Sequence, residues 1–294
     1  MPEYGSPTVR RRRLAAELRR LRELAGLTGE EVADRLSWSP SKVSRIELYR
    51  TGIKTADLSK LLDLYAVAET HRGELLALAR EPRRKGWWEA YADALPEEYA
   101  ALIVLEAEAE YMGCWSPQLI HGLLQTPDYA RAVIASHMGS TGSLPPGKIR
   151  QRVEARLARQ EVFTRDPQRH LDVVLDQSAL IRRFSDAPVM RRQLEHLIEV
   201  SHQPNVTVRV LPLDGSHPIG TGSFSVLRFG PVPGIGPATE VVYIEQLSRA
   251  ALYVEDEDEV YEYRLALEQL TGKSLSPDQS RELIAAIARD NWPG

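Results

Sequence analysis

The chain has 294 residues, of which 43% are hydrophobic and 27% are charged. This length predicts one small and one larger domain, and the balanced composition excludes a wholly disordered or fibrous chain. No apolar run approaches the ~18 residues that a membrane-spanning helix needs, and no secretory signal follows the N-terminus, so we expect a cytoplasmic protein without membrane contact. The single cysteine, Cys114, excludes an intrachain disulfide and a multi-cysteine zinc site.

Charge is distributed unevenly along the chain. Residues 1–85 carry 18 Lys and Arg against 12 Asp and Glu, whereas residues 86–294 carry 19 against 29. The net charge is therefore +6 in the first part and −10 in the second. Because Lys and Arg neutralise phosphates, this asymmetry favours a basic part that meets a polyanion and an acidic part that does not. We place the boundary so that residues 1–82 form the head and residues 83–294 form the body.

Five helices are predicted in the head from apolar residues at three- and four-residue spacing. They span about Arg10–Ala25, Gly29–Leu36, Pro40–Tyr49, Thr55–Tyr65 and Glu69–Arg80. Thr28 and Glu31 can form a capping box at the second helix, and Ser39 followed by Pro40 is a typical start for the third. Two short helices joined by a tight turn inside a basic bundle are typical of a helix-turn-helix DNA-binding domain.

The third helix carries the predicted DNA contacts. If Val43 and Ile46 are buried, helical geometry turns the opposite face outwards. That face holds Ser41, Lys42, Arg45 and Tyr49. Their ammonium, guanidinium and hydroxyl groups suit base edges and phosphates. The alternative for the head is a helical protein-interaction bundle with a solvated basic face.

The run Arg12–Val67, which includes LTGEEVADRLSWSPSKVSRIE, resembles the Cro/C1-type (XRE-family) helix-turn-helix. The resemblance implies a compact all-α bundle of about five helices whose third helix enters the major groove of double-stranded DNA. By position, the expected base contacts come from Ser39, Ser41, Lys42 and Arg45. The expected phosphate contacts come from Thr28, Ser44, Tyr49 and Arg50. Gly29 departs from the family, which often has a phosphate-clamping glutamine there, and Glu47 matches an acidic position with a mainly structural role.

The body is predicted to be α+β, with several helices around a mostly antiparallel sheet of four to six strands. Strands are expected at Leu171–Asp176, Val206–Pro212, Phe224–Phe229, Glu240–Gln246 and Ala251–Val254. Helices are expected at Pro127–His137, Lys148–Thr164, Val189–His202, Asp258–Leu270 and Pro277–Asn291. Within Leu105–Trp115, glutamates alternate with apolar residues, which favours another strand, although alanine and glutamate also allow a helix.

The body also resembles a known domain. The segments GLLQTPDYARAV, RLARQEVFTR, NVTVRVLP, GSFSVLRF, VVYIEQL and LSPDQSRELI occur in the order found in actinomycete WhiJ-like or antitoxin-like regulators. The resemblance covers about residues 87–290 and implies transcriptional control, often with a small partner protein. Two departures could alter what the domain binds: His121, where proline is common, and Gln177, where an acidic residue is common.

Enzyme chemistry is not indicated by the sequence. The seven histidines lack metal-ligand spacing, and the glycines around Ser223 and Ile235 form neither a nucleophile elbow nor a dinucleotide-binding motif. We therefore predict no catalytic residues, no metal and no cofactor. The pair Trp87 and Trp88, together with Tyr91, could line a ligand or partner site, or could serve core packing. The acidic run Glu255–Glu259 could dock a basic partner, or could complement a helix dipole.

These observations predict a sequence-specific DNA-binding transcriptional regulator. We expect a homodimer, because one recognition helix covers too few bases and two half-sites would double the readout. One alternative is an antitoxin-like protein that sequesters a small partner protein and regulates its own expression. Another is a regulator that senses a small-molecule effector. An enzyme tethered to DNA has the least support.

Overall fold

The computed structural model of the protein describes residues 9–48, 52–80, 87–91, 93–137, 145–214, 217–231, 239–245 and 252–293. The chain divides into two compact units, Met1–Gly86 with Phe229–Thr239, and Trp87–Arg228 with Glu240–Gly294. None of the described helices is both long enough and apolar enough to cross a membrane.

Five helices form the head, as predicted. They are α1 (Val9–Leu24), α2 (Gly29–Leu36), α3 (Pro40–Glu47), α4 (Thr55–Leu64) and α5 (Glu69–Arg80). Each contributes apolar residues to one core, which includes Leu14, Leu18, Val32, Ala33, Val43, Ile46, Leu58, Leu61, Leu62 and Leu75. The helix-turn-helix unit formed by α2 and α3 therefore rests on a shared hydrophobic core with the other three helices.

Local hydrogen bonds define the turn between α2 and α3. Ser37 ends α2 in the left-handed region at φ 54°, and the Trp38 backbone N–H donates to the Ala33 carbonyl at 2.8 Å. Ser39 then caps α3, because its hydroxyl accepts the Lys42 backbone N–H, and Pro40 occupies the first turn. Since both ends of this short turn are hydrogen-bonded, the start of α3 has a defined direction relative to α2.

A six-stranded sheet lies at the centre of the body. Its strands are β1 (Tyr111–Ser116), β2 (His170–Asp176), β3 (Val206–Leu211), β4 (Phe224–Phe229), β5 (Thr239–Ile244) and β6 (Leu252–Val254). Their order is β3-β2-β1-β4-β5-β6. β2 pairs in parallel with both β1 and β3, whereas the β1–β4 and β5–β6 pairs are antiparallel. The α+β class is confirmed, and the sheet is mixed.

Helices connect the parallel strands of the body. α6 (Glu97–Glu108) precedes β1, α7 (Pro127–His137) and α8 (Pro146–Arg165) join β1 to β2, and α9 (Ser178–Ile181) and α10 (Ala187–Val200) join β2 to β3. α11 (Glu257–Lys273) and α12 (Pro277–Asp290) follow β6. Parallel neighbours need such long crossovers, which explains why helices lie between β1 and β2 and between β2 and β3.

One secondary-structure prediction was partly wrong. The segment Leu105–Trp115 was expected to favour a strand, yet α6 continues to Glu108 and β1 begins only at Tyr111. Alanine and glutamate have high helix propensity, and this preference prevails over the two-residue alternation.

Candidate nucleic-acid interface

The two faces of α3 differ in burial as predicted. Val43 and Ile46 are 3% and 5% exposed and belong to the core of the head. Ser41, Ser44 and Arg45 are exposed. α3 therefore presents hydroxyl and guanidinium groups outwards from a helix whose apolar side is packed beneath.

Ser39 and Ser41 are coupled at the start of α3. The Ser39 Oγ accepts the backbone N–H of Lys42 at 3.2 Å and lies 3.0 Å from the Ser41 Oγ. Both side chains are exposed. Since a hydroxyl has one donor and two acceptor sites, the pair retains capacity for a further hydrogen bond to DNA.

Lys42 is held by two neighbours inside the head. Its Nζ lies 3.0 Å from Oδ2 of Asp57 on α4 and 3.7 Å from the centre of the Trp38 ring. Lys42 is only partly exposed as a result, unlike the other predicted base-contacting residues. The four-residue spacing of Trp38 and Lys42 is a signal that could have indicated the ring contact. Asp57 is 15 positions away from Lys42, and no short-range pattern links them.

Arg45 lies in the last turn of α3 and is exposed. It forms no ion pair with a described residue. An Arg guanidinium keeps its positive charge at any physiological pH and can contact guanine O6 and N7 with two hydrogen bonds. Of the predicted base-contacting residues, Arg45 is therefore the one whose charge is fully available.

Two of the predicted phosphate-contacting residues line one cleft. Thr28, Gly29 and Ser44 border a space of about 350 Å³ between α1, α2 and α3. The Thr28 Oγ1 already accepts the Glu31 backbone N–H, which completes the predicted capping box. A Cβ at Gly29 would meet Val43 Cγ1 at 3.9 Å, an ordinary contact, so the position has room for at least a methyl group. Tyr49 and Arg50, the other two predicted phosphate contacts, lie outside the described residues.

A partly buried ion pair fixes the C-terminal end of α3. Glu47 accepts two hydrogen bonds from Arg22 of α1, from Nε to Oε1 at 2.8 Å and from Nη2 to Oε2 at 3.0 Å. The side chains are 11% and 14% exposed, and Arg22 also donates to the Leu27 carbonyl. Hydrogen bonding to Glu47 raises the pKa of Arg22 above its usual value. The inward, structural role expected for Glu47 is what the structure shows.

The aromatic residues at the start of the body form a small group. Trp87 makes edge-to-face contacts with Trp88 and Tyr91, with ring centres 6.0 and 6.1 Å apart. All three lie on one short 3-10 helix and are partly buried. Directly after it, the Ala94 carbonyl accepts a hydrogen bond from Arg152 of α8. The structure therefore brings the three predicted residues together, and a ligand or partner role for them stays a prediction.

The body contains a buried ion pair that the sequence did not indicate. The Nε of Arg159 on α8 lies 3.1 Å from Oε2 of Glu106 on α6, with side chains 4% and 0% exposed. Burial raises the pKa of Glu106 to about 7, although Arg159 and Arg156 act in the opposite direction. Both carboxyl oxygens of Glu106 and the Nε of Arg159 lack a hydrogen-bond partner among the described residues. Glu106 and Arg159 are 53 positions apart, which explains why sequence patterns missed the pair.

Residues that could support catalysis are dispersed or buried. Cys114 lies in β1, and burial raises the pKa of its thiol to about 12, which keeps it protonated. Within the described part of the chain, no group of three or more His, Cys, Asp and Glu residues could hold a metal ion. At the C-terminal end of β2, the His217 Nε2 lies 3.8 Å from the Asp176 Oδ2.

Comparisons with known proteins cover most of the chain. Residues 13–75 match the helix-turn-helix domain family, which identifies the head as a helix-turn-helix domain of the DNA-binding kind. Residues 99–286, more than half of the chain, match the family described as a domain of unknown function, DUF5753. No curated protein and no solved structure matches the chain. The chain therefore belongs to the DUF5753 family, with a helix-turn-helix domain at its N-terminal end.

Proposed function

We propose that the protein is a sequence-specific transcriptional regulator of the Cro/C1 type, with a DNA-reading domain at residues 1–82 and a regulatory domain at residues 83–294. The observation that carries the proposal is the exposed Arg45, which forms no ion pair with a described residue, on a capped helix whose opposite side is buried. The positive net charge of the head supports it, because phosphate neutralisation drives association with DNA. In this proposal α3 enters the major groove, and Ser39, Ser41, Lys42 and Arg45 face the bases.

Selection of bound duplexes from a random pool tests the proposal. The full-length chain should enrich one sequence, and a dimer should enrich two half-sites related by inversion about one helical turn apart. Enrichment of a single half-site would contradict the proposed homodimer while leaving sequence reading intact. If no sequence is enriched over the starting pool, the proposal is wrong.

Replacing Arg45 with alanine should weaken binding to the selected duplex by about 1–3 kcal/mol and relax preference at one base pair. The reason is the loss of a two-point contact to a base edge. Competition binding with single-base variants of the selected duplex measures both effects. Arg35→Ala is the matched control, since it removes an equal charge from the exposed side of α2. An equal loss for every sequence in the Arg45 variant would show that Arg45 contacts phosphate only.

The body has two candidate roles within this proposal. Tyr261 and Leu265 are 49% and 37% exposed and lie four residues apart on α11, which favours an association surface for a second copy or a small partner protein. Light scattering of the full-length chain, alone and after purification from its native cells, measures the mass of the assembly. An excess mass equal to one more copy supports the dimer, and a smaller fixed excess supports a partner.

A small-molecule effector is the second candidate, favoured by the buried pair Glu106 and Arg159. Buried polar atoms are nearly always hydrogen-bonded, whereas both Glu106 carboxyl oxygens, the Arg159 Nε and the Tyr99 hydroxyl lack a hydrogen-bond partner among the described residues, which favours a polar ligand at this place. Mass spectrometry of the freshly purified chain, native and then denatured, would reveal a retained small molecule. A native mass equal to that of the protein alone would exclude a tightly bound effector.

A further inference from the structure

One predicted base-reading side chain is already bound to a carboxylate of the same domain. The Lys42 Nζ lies 3.0 Å from Asp57 Oδ2, and the two side chains are 33% and 22% exposed. The Trp38 ring lies on another side of the ammonium, 3.7 Å from Nζ. Lys42 thus has both an anion and an aromatic face as partners before any DNA is present, whereas Arg45, on the same helix, forms no ion pair with a described residue.

Asp57 is well placed to keep this contact. It lies in the first turn of α4, where the positive end of the helix dipole stabilises a carboxylate. Asp57 is the acidic residue of that turn. Lys54, at the N-cap, makes no side-chain capping hydrogen bond. The Asp57 backbone N–H donates to the Lys54 carbonyl at 2.9 Å. The backbone of Asp57 is therefore fixed within α4, and the helix dipole favours a negative charge at that position.

The pairing changes what Lys42 contributes to DNA binding. Non-specific affinity comes from cations that neutralise phosphates and release counterions, whatever the sequence. A lysine paired with a carboxylate adds no net charge to that interaction. It can leave the carboxylate where other acceptors compensate for the lost ion pair, as guanine O6 and N7 can in the major groove.

We propose that Asp57 is a specificity-determining residue, which competes with DNA phosphates for the Lys42 ammonium and so reserves it for the correct base. This inference rests on the proposed sequence-specific DNA binding. Asp57 lowers the affinity of the protein for every DNA sequence. It lowers the affinity for incorrect sequences more, because only the correct site offers Lys42 a base that replaces the Asp57 carboxylate. Specificity here comes from a repulsive and competitive element as well as from attractive contacts.

The test compares Asp57→Asn with the wild type on two probes, a random-sequence duplex and the duplex recovered by selection. On the random duplex we expect affinity to rise roughly 3- to 10-fold at low salt, with a log–log salt slope steeper by about 0.9, as for one additional phosphate contact. Affinity for the selected duplex should change less, so the ratio of the two affinities should fall. Asp63→Asn is the control, since it removes an equal charge from α4 where the partner is Arg72.

Repeating the comparison in a Lys42→Ala chain separates competition for Lys42 from a general effect of removing a negative charge. In the Lys42→Ala chain, Asp57→Asn should alter neither the salt slope nor the specificity ratio beyond the change seen with Asp63→Asn. Equal gains on both duplexes, or a loss on the selected duplex, would overturn the inference and leave sequence reading standing. A wild-type chain that enriches no duplex would overturn the proposed function, and this inference with it.

Discussion

The Glu106→Gln variant should gain stability relative to the wild type as the pH rises from about 4.5 to about 7, by up to ~3 kcal/mol. Burial raises the pKa of Glu106 from 4.5 to about 7, so the folded chain binds its proton more tightly than the unfolded chain does. The stability that this proton provides is complete below pH 4.5 and is lost as the pH rises towards 7. Glutamine is neutral throughout and avoids that loss.

Chemical denaturation at several pH values, followed by tryptophan fluorescence, measures the effect, because four of the five tryptophans lie in the body. The exposed Glu154 on α8 supplies the control, because Glu154→Gln makes the same substitution at the surface. The positive charges of Arg156 and Arg159 oppose this rise in the pKa of Glu106. A Glu106→Gln variant that loses stability relative to the wild type as the pH rises would show that these guanidiniums outweigh burial. Replacing one partner of a buried ion pair can raise or lower stability. The sign of the change in the free energy of unfolding therefore shows which effect dominates here.

Replacing Glu47 with alanine should lower the free energy of unfolding of the head by roughly 3 kcal/mol, because Arg22 would remain largely buried without its partner. For a domain of this size, that loss corresponds to a fall in Tm of about 12–24 °C. DNA binding should weaken as well, since Glu47 connects the end of α3 to α1. Hydrogen exchange resolved by peptide measures the change in the head separately from the body.

The control for Glu47 is its surface counterpart, Glu23. Glu23 lies 3.0 Å from Arg19 and 3.5 Å from Arg22, but more than half of its side chain is exposed. Exposed ion pairs contribute little, so Glu23→Ala should change stability by less than about 1 kcal/mol. If both variants lose the same small amount, the bidentate pair does not anchor α3.

Local signals explain how much of the fold was predictable. Thr28 with Glu31 and Ser39 with Pro40 each mark a helix start, and each forms the predicted cap. Such signals act over three or four residues, which a sequence displays directly. The strand prediction around Glu106 was partly wrong because the two-residue alternation competed with helix propensity. No nearby capping or turn signal showed whether a helix or a strand would form.

The candidate DNA interface was predictable in outline and not in its connections. The outward position of Ser41 and Arg45 followed from the spacing of Val43 and Ile46. The partners of Lys42 and Glu47 did not follow, because Asp57 and Arg22 lie on other helices and tertiary packing alone brings them near. Periodicity indicates which side of a helix is exposed, but it does not show which exposed charges already have a partner.

The position of β1 in the sheet has a consequence for incomplete chains. β1 pairs with β2 on one side and with β4 on the other, and the residues that complete its second side, Phe224–Arg228, come more than 100 positions later. A product terminated before Phe224 would leave one row of β1 amide and carbonyl groups without its native partner in the middle of an apolar sheet. Unsatisfied strand edges of this kind join neighbouring molecules, so such fragments should aggregate rather than persist as shorter regulators.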